Sequence, residues 1–152
     1  MPEIVVRLSI LLLVGVVAWL SVTFSKRFVD ARRQRALSAS LPDTLSSVIN
    51  TDNTTNKAHV RILAFSTPDC QQCHRLQAPA LQRVLEARGD TVAIVDIDAT
   101  TSPELAQRYQ VLTVPTTVIL DATGQAHAVN YGFANTKRLL EQVDAVLAEV
   151  AS

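Results

Sequence analysis

The chain has 152 residues, 48% hydrophobic and 18% charged, a mixture that fits one folded domain with additional segments. Its formal charge is zero, but seven basic and four acidic residues fall in 1–58 against seven basic and ten acidic in 59–152, a front of +3 and a back of −3. This split argues against a nucleic-acid partner, which requires clustered Lys and Arg on the folded part.

Residues 8–24 (LSILLLVGVVAWLSVTF) hold no charge, and 4–24 is apolar or small apart from Arg7, which near an end can snorkel to an interface. As a helix, a stretch of this length spans roughly 31 Å, close to a hydrocarbon core of about 30 Å. The spacing therefore predicts a single transmembrane anchor over 1–25. A cleaved signal peptide is the competing reading. It is opposed by the length of the apolar run and by Lys26, Arg27, Arg32, Arg33 and Arg35, which stand where a small, neutral cleavage region belongs. Those charges favour a membrane protein whose C-terminal domain faces the cytoplasm, with an extracytoplasmic domain as the alternative. The same run also suits anionic headgroups of the lipid bilayer.

Residues 26–58 read as a basic juxtamembrane segment and a polar tether. Over 36–58 (ALSASLPDTLSSVINTDNTTNKA), Ser, Thr, Asn and Asp dominate, and so few large apolar groups cannot offset chain entropy. Leu45, Val48 and Ile49 offer a short element that could pack on the domain. Asn53-Thr54-Thr55 matches a glycosylation acceptor, a pattern too short to carry a function.

From 59 to 152 the pattern alternates between strand and helix. His59–Phe65 (HVRILAF) predicts a buried strand, and 74–88 a helix with Leu76, Leu81, Val84 and Leu85 on one side. Thr91–Asp98 follows as a second strand, and a strand-helix-strand order implies a parallel pair with a right-handed crossover. Pro103–Tyr109 predicts a short helix with Ser102 as cap and Pro103 in its first turn. Thr116–Asp121 and Ala126–Tyr131 flank a turn at 122–125 and read as an antiparallel hairpin. A last helix starts near Asn135 and carries Leu139, Leu140, Val143, Val146, Leu147 and Val150 at helical spacing.

The only two cysteines, Cys70 and Cys73, lie three positions apart, too close to staple distant parts of a fold. They sit where the first strand has ended and the first long helix begins. Unpaired amides and the dipole of a helix start stabilise a thiolate, so Cys70 suits attack on a disulfide. Cys73, one turn further in, is placed to resolve the mixed disulfide that results.

The FSTPDCQQC run after a strand, Thr113-Val114-Pro115 before the next strand, and Gly124 and Gly132 around the hairpin resemble the thioredoxin superfamily over about 59–150. The resemblance implies an α/β thioredoxin-like fold, a mixed central sheet flanked by helices, here preceded by the anchor. It also implies a thiol–disulfide oxidoreductase with protein disulfide or dithiol substrates, a membrane or soluble redox partner and no cofactor. In that family the proline matching Pro115 is cis and lies against the cysteines, and the backbone of the preceding residue, here Val114, binds the substrate peptide.

Departures from the family pattern are several. Asp69 replaces the usual Trp, Gln71-Gln72 replaces Gly-Pro, and Ala64 stands where many thioredoxins bury a proton-transferring Asp. Ile94 takes the place of a lysine. Pro79 follows Cys73 by six residues rather than five, which implies a local shift in the helix. Asp69 reads as a helix cap, with repulsion of negative charge on Cys70 as the alternative, and with no catalytic role. Three rival readings attach to the same residues. Cys70-Gln71-Gln72-Cys73-His74 is literally a c-type haem attachment pattern, but strands flank it and the only methionine is Met1. A zinc site would need His59 or His127 to join Cys70, Cys73 and His74, and no spacing suggests it, so no metal is expected. The third rival is a redox-weak binding or assembly module on the same fold.

Overall fold

The computed structural model describes residues 12–21, 23, 31, 34–39 and 58–150, in two compact units, 1–34 and 35–152. In the first unit 12–21 is helical, and its large apolar side chains, Trp19 among them, are exposed. The anchor anticipated over 1–25 extends outside the described residues. Among the described residues, no helix is long and apolar enough to cross a membrane. Leu45, Val48 and Ile49, with the rest of 40–57, also lie outside the described residues.

The second unit is built on β1 (Val60–Ser66), whose VRILAFS run is buried along all but its last residue. A run buried on both faces belongs in the middle of a sheet. It pairs in parallel with β2 (Val92–Asp98) and antiparallel with β3 (Thr116–Asp121), which pairs antiparallel with β4 (Ala126–Tyr131), giving the order β2-β1-β3-β4. The mixed sheet and the β-α-β-α-β-β-α order match the sequence reading. Helix α1 occupies 71–88, α2 is Pro103–Arg108 and α3 is Thr136–Val150.

Alternation along β1 sends its side chains to two cores. Val60, Ile62 and Ala64 pack with Leu81 and Val84 of α1 and Leu139, Val143 and Val146 of α3. Leu63 and Phe65 face the other way, against Leu105 of α2, Tyr109 and Ala36. Burying each Val, Leu or Ile contributes about 1.5–3 kcal/mol, so this strand anchors both layers. A reciprocal amide pair ties α3 to β4: Asn130 donates to Gln142 Oε1 at 2.8 Å, and Gln142 donates back to Asn130 Oδ1 at 2.9 Å.

The caps differ in part from expectation. Asn135 caps α3, accepting from the Arg138 N–H at 2.9 Å. Ser102 occupies the cap position of α2 with Pro103 after it, but its side chain makes no cap hydrogen bond. The chain there is turned instead by Asp98, whose Oδ1 accepts from the Thr100 N–H at 2.8 Å and the Thr100 hydroxyl at 2.6 Å.

Tyr109 is fully buried beside Phe65, ring centroids 6.2 Å apart, and its hydroxyl has no hydrogen-bond partner among the described residues. Burial pushes this phenol up to about 12. The folded chain therefore holds the proton through a range where an unfolded tyrosine, near 10, has lost it. Stability is full below about pH 10 and falls as pH rises toward 12. Tyr109→Phe should unfold at equal or higher denaturant concentration than the parent at pH 7, and should flatten the alkaline fall in denaturation midpoint, because no unpaired hydroxyl is then buried.

Candidate active site

β1 ends at Ser66 and the chain turns through Thr67 to Asp69, with the Cys70 N–H donating to the Thr67 carbonyl at 3.0 Å. Helix α1 starts immediately after. The two cysteines are joined in a disulfide, S–S 2.03 Å and Cα–Cα 5.3 Å, with Cys70 partly exposed and Cys73 only 5% exposed. The outer sulfur meets solvent and the inner one meets the core.

The first turn of α1 is capped by sulfur. The Cys73 N–H donates to Cys70 Sγ at 3.1 Å, the three-residue reach an N-cap side chain normally makes. Asp69, read from sequence as the cap, is exposed and makes no cap hydrogen bond among the described residues. The reason is competition, since Cys70 stands one residue closer and already fills the acceptor position. When the disulfide opens, that amide and the helix end favour negative charge on Cys70.

The shift implied by Pro79 is a π-helical turn over Cys73–Gln77, closed by the Ala78 N–H donating to the Cys73 carbonyl five residues back. Ordinary α-helix resumes over Ala78–Arg88 with Pro79 in its first turn, where a missing amide is tolerated. The extra residue carries Gln77 inward, to 3% exposure. Its amide clamps one residue of the β4–α3 loop: Gln77 Oε1 accepts from the Ala134 N–H at 2.9 Å, and Nε2 donates to the Ala134 carbonyl at 3.2 Å. No feature of the sequence singled out Gln77. The Pro79 offset was the available signal, because an inserted residue must be absorbed somewhere in the turn.

Pro115 is buried at the start of β3, and the Val114–Pro115 peptide is cis, as the resemblance implied. The Gly132 N–H donates to the Pro115 carbonyl at 2.9 Å, with Gly132 at φ 81°, a conformation other residues rarely adopt. The Thr116 hydroxyl donates to the Thr113 carbonyl at 2.7 Å. Pro115 and Cys73 line one cavity of about 290 Å³ with Ala64, Ser66, Gln77 and Asp96. All four candidate residues thus lie at one end of the sheet, Val114 through its peptide bond to Pro115. Leu76, Leu112 and Phe133, all substantially exposed, come from segments at this same end: the π turn, the approach to Pro115 and the loop after β4.

The rival ligands separate. His74 is exposed and its Nε2 lies 3.2 Å from the Pro68 carbonyl, while both sulfurs that haem attachment would use are bonded to each other. His127 is held between Asp121 at 2.8 Å and Glu149 at 3.1 Å, far from the cysteines along β4. Among the described residues, no three His, Cys, Asp or Glu side chains are grouped to hold a metal.

Replacing Gln77 by Ala strands a buried N–H and a buried carbonyl at Ala134, each costing about 1–3 kcal/mol. We expect Gln77→Ala to lower unfolding free energy by about 2–4 kcal/mol in urea titration, whereas the exposed Gln71→Ala should change it by less than about 0.5 kcal/mol.

Comparison with known proteins places this arrangement. The family model described as Thioredoxin matches residues 46–145. The chain is 32% identical over 80 residues to the thioredoxin of Bacillus subtilis (strain 168), covering 53% of this chain and 75% of that protein. It is 33% identical over 90 residues to the chloroplastic thioredoxin Y of Oryza sativa subsp. japonica, covering 59% of this chain and 52% of that one. Among solved structures, oxidised mitochondrial thioredoxin 3 from Saccharomyces cerevisiae superposes with a TM-score of 0.52 at 26% identity, over 66% of this chain and 89% of that one.

Proposed function

The chain belongs to the thioredoxin family, and from that premise we propose that it is a thiol–disulfide oxidoreductase acting on disulfides or dithiols of other proteins. The observation that carries this reading is the Cys70–Cys73 disulfide at the start of α1, its outer sulfur accepting the Cys73 amide and its inner sulfur buried beside Pro115. In the reducing direction, the Cys70 thiolate attacks a substrate disulfide and expels one substrate thiolate. Cys73 then attacks the Cys70 sulfur, re-forming the intramolecular disulfide and releasing the second thiolate. Two electrons pass to the substrate, and in the oxidising direction the same steps run backwards. Val114 and Pro115 present the extended substrate backbone, and Leu76, Leu112 and Phe133 supply an apolar rim suited to polypeptide.

We also propose that 4–24 anchors the protein in a bilayer with the redox domain on the cytoplasmic side. The reading is supported by the apolar run and by the five positive charges that follow it.

Cys73→Ser should trap protein partners on Cys70 as mixed disulfides that dithiothreitol releases, and Cys70→Ser should trap none. The parent should accelerate insulin reduction by dithiothreitol, and a Cys70→Ser chain should not. If the parent accelerates nothing while partners still copurify, the protein is a binding module instead. After alkaline carbonate extraction the full chain should stay with the membranes, and protease should reach 26–58 from the cytoplasmic side only. Release into the supernatant would remove the anchor, and cleavage from the opposite side would reverse the orientation.

A further inference from the structure

Cys73 must lose a proton before it can attack, yet it is 5% exposed and sits inward of Cys70. Ala64, on the strand beneath it, has no group to take that proton. The register of the sheet shows where one stands. Ala64 on β1 pairs with Asp96 on β2. Residues paired across parallel strands project to the same face, and this face is the one covered by α1, since Ile94, two residues earlier on β2, packs into the core that α1 closes. The cavity of about 290 Å³ touches both Cys73 and Asp96, with Ser66 and Gln77 as further polar lining. A water occupies roughly 30 Å³, so the space holds several, and Asp96 is itself exposed at its outer end.

We propose that Asp96 is the proton acceptor for Cys73, reached through water in this cavity. It is a positioning residue for the resolving step, which rests on the thiol-exchange reading above. The Cys73 proton passes by water to the Asp96 carboxylate, the Cys73 thiolate displaces the substrate thiolate from Cys70, and the proton returns to solvent or to the departing thiolate. The other titratable group on the cavity wall is His74, from α1; β1 contributes Ala64, Phe65 and Ser66, and the 114–115 peptide contributes Pro115. Asp98, two residues further along β2, is held by Thr100.

The alternative role for Asp96, a mere negative charge, has the opposite sign. A nearby carboxylate makes a thiol harder to ionise, so its removal would speed resolution. The test uses the reduced full chain mixed with 5,5′-dithiobis(2-nitrobenzoate). Attack by Cys70 releases one thionitrobenzoate and resolution by Cys73 releases a second. Asp96→Asn should leave the first phase unchanged, slow the second by at least about tenfold at neutral pH and move its midpoint to higher pH. Asp96→Glu should restore most of the rate, and His74→Gln should keep the parent profile. A second phase in Asp96→Asn that is unchanged or faster would overturn the proposal, as would equal slowing of both phases. Absence of a first phase in the parent would overturn the thiol-exchange reading itself, and the proposal with it.

Discussion

The backbone amide at the start of α1 needs an acceptor, and the sulfur of Cys70 provides it. Helix starts leave several N–H groups without intrahelical partners. Here the Cys73 amide turns to Cys70 Sγ at 3.1 Å, so one contact both begins the helix and sets the two sulfurs at bonding range. The contact requires β1 to stop at Ser66 and the turn at Thr67 to close onto the Cys70 N–H. It also requires a rigid floor. β1 supplies that floor because it is buried on both faces and gripped by a strand on each side.

The departure at Pro79 from the usual family pattern makes sense as one compensated change. An extra residue between Cys73 and Pro79 cannot be absorbed by regular α-helix without rotating everything after it. A single π-helical turn takes it up, and α-helix continues from Ala78 with its apolar side still on the sheet. The turn brings a polar side chain inward, which would be costly if unpaired. Gln77 meets both backbone groups of Ala134, so the insertion ends as a tie between α1 and the loop that follows Gly132. Gly132 in turn bonds Pro115. Hydrogen bonds thus link the cysteine turn to the segment proposed to hold substrate.

Much of this was legible in the sequence where local pattern decides structure. The hairpin bounds Thr116–Asp121 and Ala126–Tyr131 fall where strand composition and the Gly124 turn put them. The other strands and helices lie within a few residues of their anticipated ends. Asp69 misled because capping depends on which acceptor reaches the amide first, and residue type alone does not say that a sulfur will win; Ser102 does hold the cap position of α2, but without a side-chain hydrogen bond. Gln77 and Asp96 were illegible for a different reason. One is defined by a partner 57 residues away, and the other by a pairing register across two strands. Asp96 leaves no mark in any short window of sequence, and Gln77 leaves only the six-residue offset of Pro79 from Cys73.

The two chemical steps of the proposed exchange make unequal demands on the fold. Attack by Cys70 is governed by groups within one helical turn: an amide donor, the helix end and partial exposure to solvent. These are supplied locally, and none of them comes from the side chains of Gln71, Gln72 or Asp69. Resolution by Cys73 draws on what lies beneath the helix, because a buried thiol must pass its proton through the interior. The cavity there is bounded by β1, β2, α1 and Pro115 together. Ala64 removes a carboxylate from the central strand, and the register supplies one on the adjacent strand at the same level. A carboxylate on β2 is in contact with solvent, as Asp96 is. The cost of this placement is distance, and the cavity lined by both residues is the feature of the fold that spans it.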